Sequence, residues 1–229
     1  MTFNYYIFDL DNCILRLPNS SHYFNNILID CLKLLDSEII PDTSQRASFW
    51  SAGQDYHLVL REWGVNDPEK FWNTFDKIDF TIRKKLISEE KISLYADVIP
   101  VLKKLTRNNK KICMVSNTSE EVIEHIFEEF NLGRYFHKTF GMGADKDESL
   151  AKPSPEGIKK VLEEVNYEFN DLQDAIMIGD SHVDIFAAKQ ANIHACLIRR
   201  EKDKYPDGFK NWRYKPDSVI FDLNEIFTL

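Results

Sequence analysis

Cysteine is sparse and unpatterned. Cys13, Cys31, Cys113 and Cys196 form no CxxC pair, so nothing in their spacing marks a metal or redox motif. Cys113 and Cys196 lie inside apolar, strand-like runs and read as reduced core residues of a cytosolic protein. No apolar run reaches membrane-spanning length, and no signal-peptide-like segment precedes the first apolar stretch. The expectation is a cytoplasmic protein with no membrane partner. Positive charge is in deficit: 29 Lys and Arg against 37 Asp and Glu give a net charge of −8, which argues against a nucleic-acid polymer as partner. Internal repeats and low-complexity segments are absent, and His22, His57, His125, His137 and His194 show no clustered spacing. What remains is the composition of a folded protein, 43% hydrophobic and 29% charged with 16 Phe. The 229 residues suffice for a full α/β core and a second, smaller domain.

The organising stretch is Tyr5-Tyr6-Ile7-Phe8-Asp9-Leu10-Asp11-Asn12-Cys13. Four β-prone residues run without alternation, as in a strand buried on both faces, and end in two carboxylates. Charge at the carboxyl edge of a sheet is where open α/β folds bind ligands. Two acids there repel each other unless a positive group, usually a metal ion, lies between them. Taken alone, the segment is equally compatible with solvated acids in an exposed turn.

After a turn-rich exit at Ile14–Ser21, an amphipathic helix is expected from Phe24, with Ile27, Leu28, Cys31, Leu32 and Leu35 at helical spacing. Residues 41–93 read as further helices without a strand. Their aromatics (Phe49, Trp50, Tyr56, Trp63, Phe71, Trp72, Phe75 and Phe80) read mainly as the core of a small helical unit. From Asp97 the pattern changes. Val98, Val101, Leu102 and Leu105 mark a helix, and Lys111–Ser116 a buried strand. Thr118 and Glu121 suggest a capping box for a helix that carries Val122, Ile123, Ile126, Phe127 and Phe130, with Gly133 as its stop. A short strand is expected near Thr139-Phe140. Ser154-Pro155 should open a helix bearing Ile158, Val161, Leu162 and Val165. Ala175–Gly179, Ala195–Ile198 and Val219–Phe221 are the later strands. Strands alternating with helices imply an α/β, Rossmann-like parallel sheet with helices on both faces. The expected division is a core of residues 1–17 and 93–229 and an inserted α-helical domain of residues 18–92.

Four clusters then fall in order at strand ends or before helices: Asp9-Leu10-Asp11, Ser116-Asn117, Lys152-Pro153-Ser154-Pro155 and Gly179-Asp180-Ser181-His182-Val183-Asp184. In order and spacing they resemble the haloacid dehalogenase-like (HAD) superfamily, and the helical insertion lies where one subgroup, the phosphoglycolate phosphatase-like members, carries a cap domain. The resemblance assigns Asp9 as the nucleophile that forms an aspartyl-phosphate, dividing one displacement into two steps. It makes Asp11 the acid that protonates the leaving oxygen and then the base that activates water. Lys152 would be catalytic through its charge and, with Ser116 and Asn117, would hold phosphoryl oxygens. The implied metal ligands are Asp9, the Asp11 carbonyl and Asp180, with Asp184 supporting the metal's water shell. An all-oxygen set of this kind suits Mg²⁺ and not zinc. Taken singly, Ser116-Asn117 could cap a helix, Lys152 could be a solvated loop lysine and Asp184 a first-turn acid.

An acid at Asp11 points away from the dehalogenases, since halide needs no proton to leave, and towards phosphoester hydrolysis. The expected activity is Mg²⁺-dependent hydrolysis of a small phosphorylated metabolite by a monomer or weak dimer. Sugar-phosphate mutases, nucleotidases and a catalytically silent binding scaffold are the alternatives. The loop Asn12-Cys13-Ile14-Leu15-Arg16-Leu17 departs from the Gly-Thr or Gly-Val that follows the nucleophile motif in familiar phosphoglycolate phosphatases. His182 is expected beside the site or facing solvent, and Cys13 to pack. Arg16 and Arg46, the latter on an Ile40–Arg46 loop, are candidates for a second anionic group of the substrate or are solvated.

Overall fold

A computed structural model of the protein describes residues 3–143, 148–169, 174–200, 204–205 and 208–229. The chain divides into two compact units. One comprises the residues up to Arg16, Ser93–Met142 and Leu150–Leu229; the other is built mainly from Leu17–Ile92. In chain order the elements begin with β1 (Tyr5–Phe8), β2 (Leu15–Arg16), α1 (Ser20–Leu34), α2 (Thr43–Ser51), α3 (Tyr56–Glu62) and α4 (Pro68–Ser88). They continue with β3 (Ser93–Leu94), α5 (Val98–Arg107), β4 (Lys111–Ser119), α6 (Glu120–Glu129), β5 (Lys138–Met142) and α7 (Glu156–Glu164). The last are β6 (Ala175–Gly179), α8 (His182–Gln190), β7 (His194–Ile198), β8 (Ser218–Ile220) and a 3-10 turn over Leu223–Phe227.

The first unit is organised on a six-stranded sheet in the order β5-β4-β1-β6-β7-β8, parallel throughout. Alternation of side chains divides its apolar residues between two faces. Ile7, Cys113, Val115, Met177, Ala195 and Leu197 pack with Ile158, Val161 and Leu162 of α7 and Ile185, Ala187 and Ala188 of α8. Tyr6, Phe8, Ile112, Met114, Ile176 and Ile178 are equally buried but fall outside that cluster, as do Val98, Val101, Leu102 and Leu105 of α5, which also contacts β4. The continuous apolar runs of β1, β4 and β6 follow from cover on both faces.

In the second unit α1 and α4 pack together. Phe49, Trp63, Phe71 and Phe75 are buried, and the Phe49 ring meets Trp63 at 5.6 Å and Phe71 at 5.7 Å between centroids. Trp50 stays partly exposed. A polar cluster lies inside this unit: buried Arg83 donates from Nε to both Asp79 oxygens (2.9 and 3.0 Å), and Tyr23 donates to Asp79 Oδ1 at 2.7 Å. Each charge therefore meets a partner, the condition under which a buried ion pair is tolerated.

Several local expectations need correction. The turn-rich exit contains β2, which pairs antiparallel with β3, Leu15 opposite Leu94 and Arg16 opposite Ser93. Two-residue strands carry no periodicity from which they could be read. Helix α1 begins at Ser20, ahead of Phe24. Thr118 is not the cap of α6; it is the penultimate residue of β4, and Ser119 precedes the helix. That helix ends at Glu129, with Asn131 in the left-handed region (φ 51°), ahead of Gly133. Helix α7 starts at Glu156, one residue after Pro155, whose carbonyl accepts from Lys159 N at 3.0 Å.

Candidate active site

Three adjacent central strands end together. Phe8 lies opposite Met114 of β4 and Ile178 of β6, so Asp9, Ser116 and Asp180 emerge at one carboxyl edge of the sheet. The Asp9 amide extends the ladder by one bond to Ile178 O (2.9 Å). The β4–β5 register shifts between Val115 and Ser119, an irregularity that lies on Ser116, Asn117 and Thr118. Bulges of this sort re-aim side chains at functional edges.

Lys152, from the segment before α7, reaches into this edge and is buried. Its ammonium donates to Asp9 Oδ1 (2.5 Å), Asp184 Oδ1 (2.6 Å) and the Val115 carbonyl (2.9 Å), which uses all three of its protons. Burial works against a charged lysine here, yet Asp184 and Asp9 override it and hold the Lys152 pKa above its usual value. Asp184, in the first turn of α8, forms a capping box with Ser181: its Oδ2 accepts from the Ser181 amide (3.0 Å) and hydroxyl (2.6 Å). Burial would raise Asp184, but Lys152 and these donors keep it below the ordinary carboxylate value. Gly179 makes room for the arrangement, since a Cβ there would lie 2.3 Å from Asp184 Cγ.

One oxygen from each of Asp9, Asp180 and Asp184 lies within 4.8 Å of the others, and all three residues are buried. Burial is the main reason that Asp9 is raised well above its usual pKa, with Lys152 opposing and Asp184 and Asp180 adding to it. Burial likewise pushes Asp180 up to about 6, against the ammonium of Lys204, which pairs with Asp180 Oδ2. Crowded carboxylates at this edge are short of positive charge, and hard oxygen donors of this kind fit a divalent cation such as Mg²⁺.

Asp11 accepts at Oδ2 from the Thr118 hydroxyl (2.8 Å), and Ser116 Oγ accepts from the Thr118 amide (3.2 Å), which leaves the Ser116 proton to donate elsewhere. Thr118 was not among the expected site residues. Its signal was the strand alternation that sets Ser116 and Thr118 on one face. Asn117 departs from its expected part. Its carboxamide pairs with the Lys152 backbone in both directions, Nδ2 to O at 2.9 Å and N to Oδ1 at 2.8 Å, so the side chain positions the lysine segment. Its backbone amide and the second Nδ2 proton remain as donors. Asn12, with φ 58°, occupies the left-handed conformation that asparagine tolerates, and its Oδ1 is a buried acceptor without a partner.

His182 lies beside the site, near enough to feel the Asp184 charge, and its half-buried ring packs at 5.7 Å from Phe186 and 6.0 Å from Trp212. Cys13 is buried and donates weakly to Ile178 O at 3.4 Å. Arg46 belongs to α2, where its guanidinium donates to Pro41 O (2.7 Å) and Thr43 Oγ1 (3.1 Å), and Arg16 is exposed on β2. Arg200 and Lys204 were not singled out in the sequence. Arg200 makes a bidentate pair with Asp97 (2.6 and 2.9 Å) and donates to the Cys13 carbonyl at 2.9 Å, bracing the loop that follows Asp11.

Among curated proteins, the chain is 30% identical to phosphoglycolate phosphatase 1 of Pseudomonas aeruginosa over 105 residues, 46% of this chain and 36% of that protein. It is 31% identical to phosphoglycolate phosphatase of Aquifex aeolicus over 103 residues, 45% of this chain and 46% of that protein. The matches thus span less than half the length of these relatives. The pyrophosphatase candidate PpaX of Clostridium perfringens matches more broadly, 23% identical over 84% of this chain and 82% of that protein. Among solved structures, CbbY from Rhodobacter sphaeroides, crystallised with phosphate, superposes with a TM-score of 0.70 at 16% identity, covering 98% of this chain and 96% of that one. That likeness concerns the fold. The family model for haloacid dehalogenase-like hydrolases matches residues 6–198, from β1 through β7 and including every cluster at the sheet edge, and the chain belongs to that family.

Proposed function

We propose that the protein is a Mg²⁺-dependent phosphatase that hydrolyses a small phosphorylated metabolite through an aspartyl-phosphate on Asp9. The observation that carries this reading is the ammonium of Lys152 held between Asp9 and Asp184, beside an Asp11 carboxylate held by Thr118. A silent binding scaffold would not need both the nucleophile and its buried lysine. The relatives named as phosphoglycolate phosphatases, and the neighbour crystallised with phosphate, support a small phosphoester as substrate.

In the first step an Asp9 oxygen attacks phosphorus and the ester oxygen departs, taking a proton from Asp11. In the second, water attacks the phosphorus of the aspartyl-phosphate while Asp11 accepts its proton, the bond to Asp9 breaks, and phosphate is released. Ser116 and the Asn117 backbone donate to the phosphoryl oxygens, and Lys152, whose protons are held by Asp9, Asp184 and the Val115 carbonyl, acts on them through its charge. Asp9, the Asp11 carbonyl and Asp180 would hold the cation, which when bound supplies positive charge against the phosphoryl oxygens.

The test separates the two aspartates. Asp9→Asn should form no phosphoenzyme on any substrate. Asp11→Asn should release about one equivalent of phenolate from an aryl phosphate in a burst and then turn over slowly, while an alkyl phosphate gives no burst, because the acid and base together are worth about a hundred- to ten-thousand-fold. Chelator should stop turnover, and added Mg²⁺ restore it. Equal slowing of both substrates in Asp11→Asn without trapped phosphoenzyme, or full turnover in metal-free protein, would refute the assignment.

A further inference from the structure

The carboxylates at the sheet edge are served by two lysines of different character. Lys152 is buried and spends its ammonium on three buried acceptors. Lys204 pairs with Asp180 Oδ2, but its side chain remains partly exposed. Its backbone is anchored nearby: Tyr205 donates from its hydroxyl to the Asp180 carbonyl (3.3 Å), packs its ring 4.9 Å from Trp212, and accepts at its own carbonyl from Arg199 Nη2 (3.4 Å). The ammonium is therefore delivered to Asp180 by a fixed neighbour, on a stem of four flexible methylenes that can carry it back to water.

We propose that Lys204 is a built-in counter-cation for Asp180, which neutralises this carboxylate in the metal-free protein and must yield to the divalent cation when it binds. The inference rests on the reading of Asp180 as a metal ligand. Lys204 then acts in two directions. It stabilises the metal-free fold by relieving the repulsion among Asp9, Asp180 and Asp184, and it weakens cation affinity, because a second positive charge at the same carboxylate opposes the first. Lys152 cannot play this part, since withdrawing it would strand three buried acceptors at once. The consequence is a site tuned to release its metal: occupancy would follow the free cation concentration where a site lacking this lysine would stay saturated.

The experiment is direct titration of Mn²⁺, read as loss of the free-ion paramagnetic resonance signal, on the full-length wild type, Lys204→Met and Lys204→Arg, with thermal unfolding of each with and without Mn²⁺. Lys204→Met should bind Mn²⁺ about tenfold more tightly, the effect expected for removing one contact charge at a partly exposed site. Lys204→Arg should stay within about twofold of the wild type. Without metal, Lys204→Met should melt below the wild type, and it should gain more on addition of Mn²⁺. Equal or weaker Mn²⁺ binding by Lys204→Met would overturn the proposal while leaving the metal reading intact. If the wild type bound no Mn²⁺, both would fall together.

Discussion

The Thr118 hydroxyl sits 107 residues from Asp11 in sequence and 2.8 Å from its carboxylate. A hydrogen bond to a charged group contributes about 1.5–3 kcal/mol, enough for roughly a tenfold change in rate or more if the orientation of Asp11 depends on it. Thr118→Val keeps the shape and removes the donor. It should slow an alkyl phosphate, whose leaving oxygen needs its proton, about tenfold, while the first-turnover rate of phenolate release from an aryl phosphate is unchanged; steady-state and stopped-flow rates decide it. Equal losses on the two substrates would mean that Thr118 does not act through Asp11. Gly179 sets a second limit at this scale. A methyl there collides with Asp184, which holds both Lys152 and the start of α8. Gly179→Ala should cost about 1–3 kcal/mol in urea unfolding and reduce turnover with it. An unchanged midpoint would mean that Asp184 moves aside freely.

At the scale of elements, the edge of the sheet from β6 to β8 carries a pH dependence. His194, at the start of β7, packs against the Phe3 ring at 5.0 Å and meets Ser218 Oγ of β8 at 2.9 Å through Nε2. Burial lowers its pKa from the ordinary 6.5, Lys189 adds to the effect, and Asp217 opposes it. The unfolded chain therefore binds more protons than the native one just below pH 6.5, so this contribution is complete above that value and is lost as pH falls through it. His137, beside β5, is lowered for the same leading reason and acts in the same direction. Asp217, held below its usual 3.8 by the Ala195 amide and Lys189 against the effect of burial, contributes only in a lower window. Asp9 and Asp180, raised by burial, act in the opposite direction in this range, so the comparison is between proteins: on going from about pH 7.5 to about pH 5.5 the urea midpoint of the wild type should drop relative to that of His194→Gln. An offset between the two that does not change with pH would remove His194 from the account.

For the whole molecule, the insertion begins and ends on one ribbon. Arg16 and Ser93 are cross-strand partners, so residues 17–92 leave and rejoin the first unit at adjacent points. Each unit has its own buried core. Replacing residues 17–92 by Asn-Gly would close β2 and β3 as a two-residue hairpin. We propose that the inserted unit carries substrate specificity, so this shortened protein should lose discrimination among phosphorylated metabolites by a larger factor than it loses turnover of a small aryl phosphate. A folded version with unchanged selectivity would contradict that role.

The division between what could be read and what could not follows from the range of the forces involved. Buried strands announce themselves as β1, β4 and β6 did, because apolar runs ending in Asp9, Ser116 and Asp180 are local facts of composition, and parallel strands joined by helices leave one edge for those ends to share. The family resemblance rested on the same local clusters. The partnerships were decided in three dimensions. Lys152 meets Asp9 across 143 residues, the Asn117 carboxamide turns to the Lys152 backbone instead of a phosphoryl group, and Lys204 arrives at Asp180 from beyond β7. Each depends on sheet register, on the irregularity in β4 or on the path of a connecting segment. None of these leaves a periodic trace in the chain, because a hydrogen bond between distant residues constrains their positions and not the residues between them.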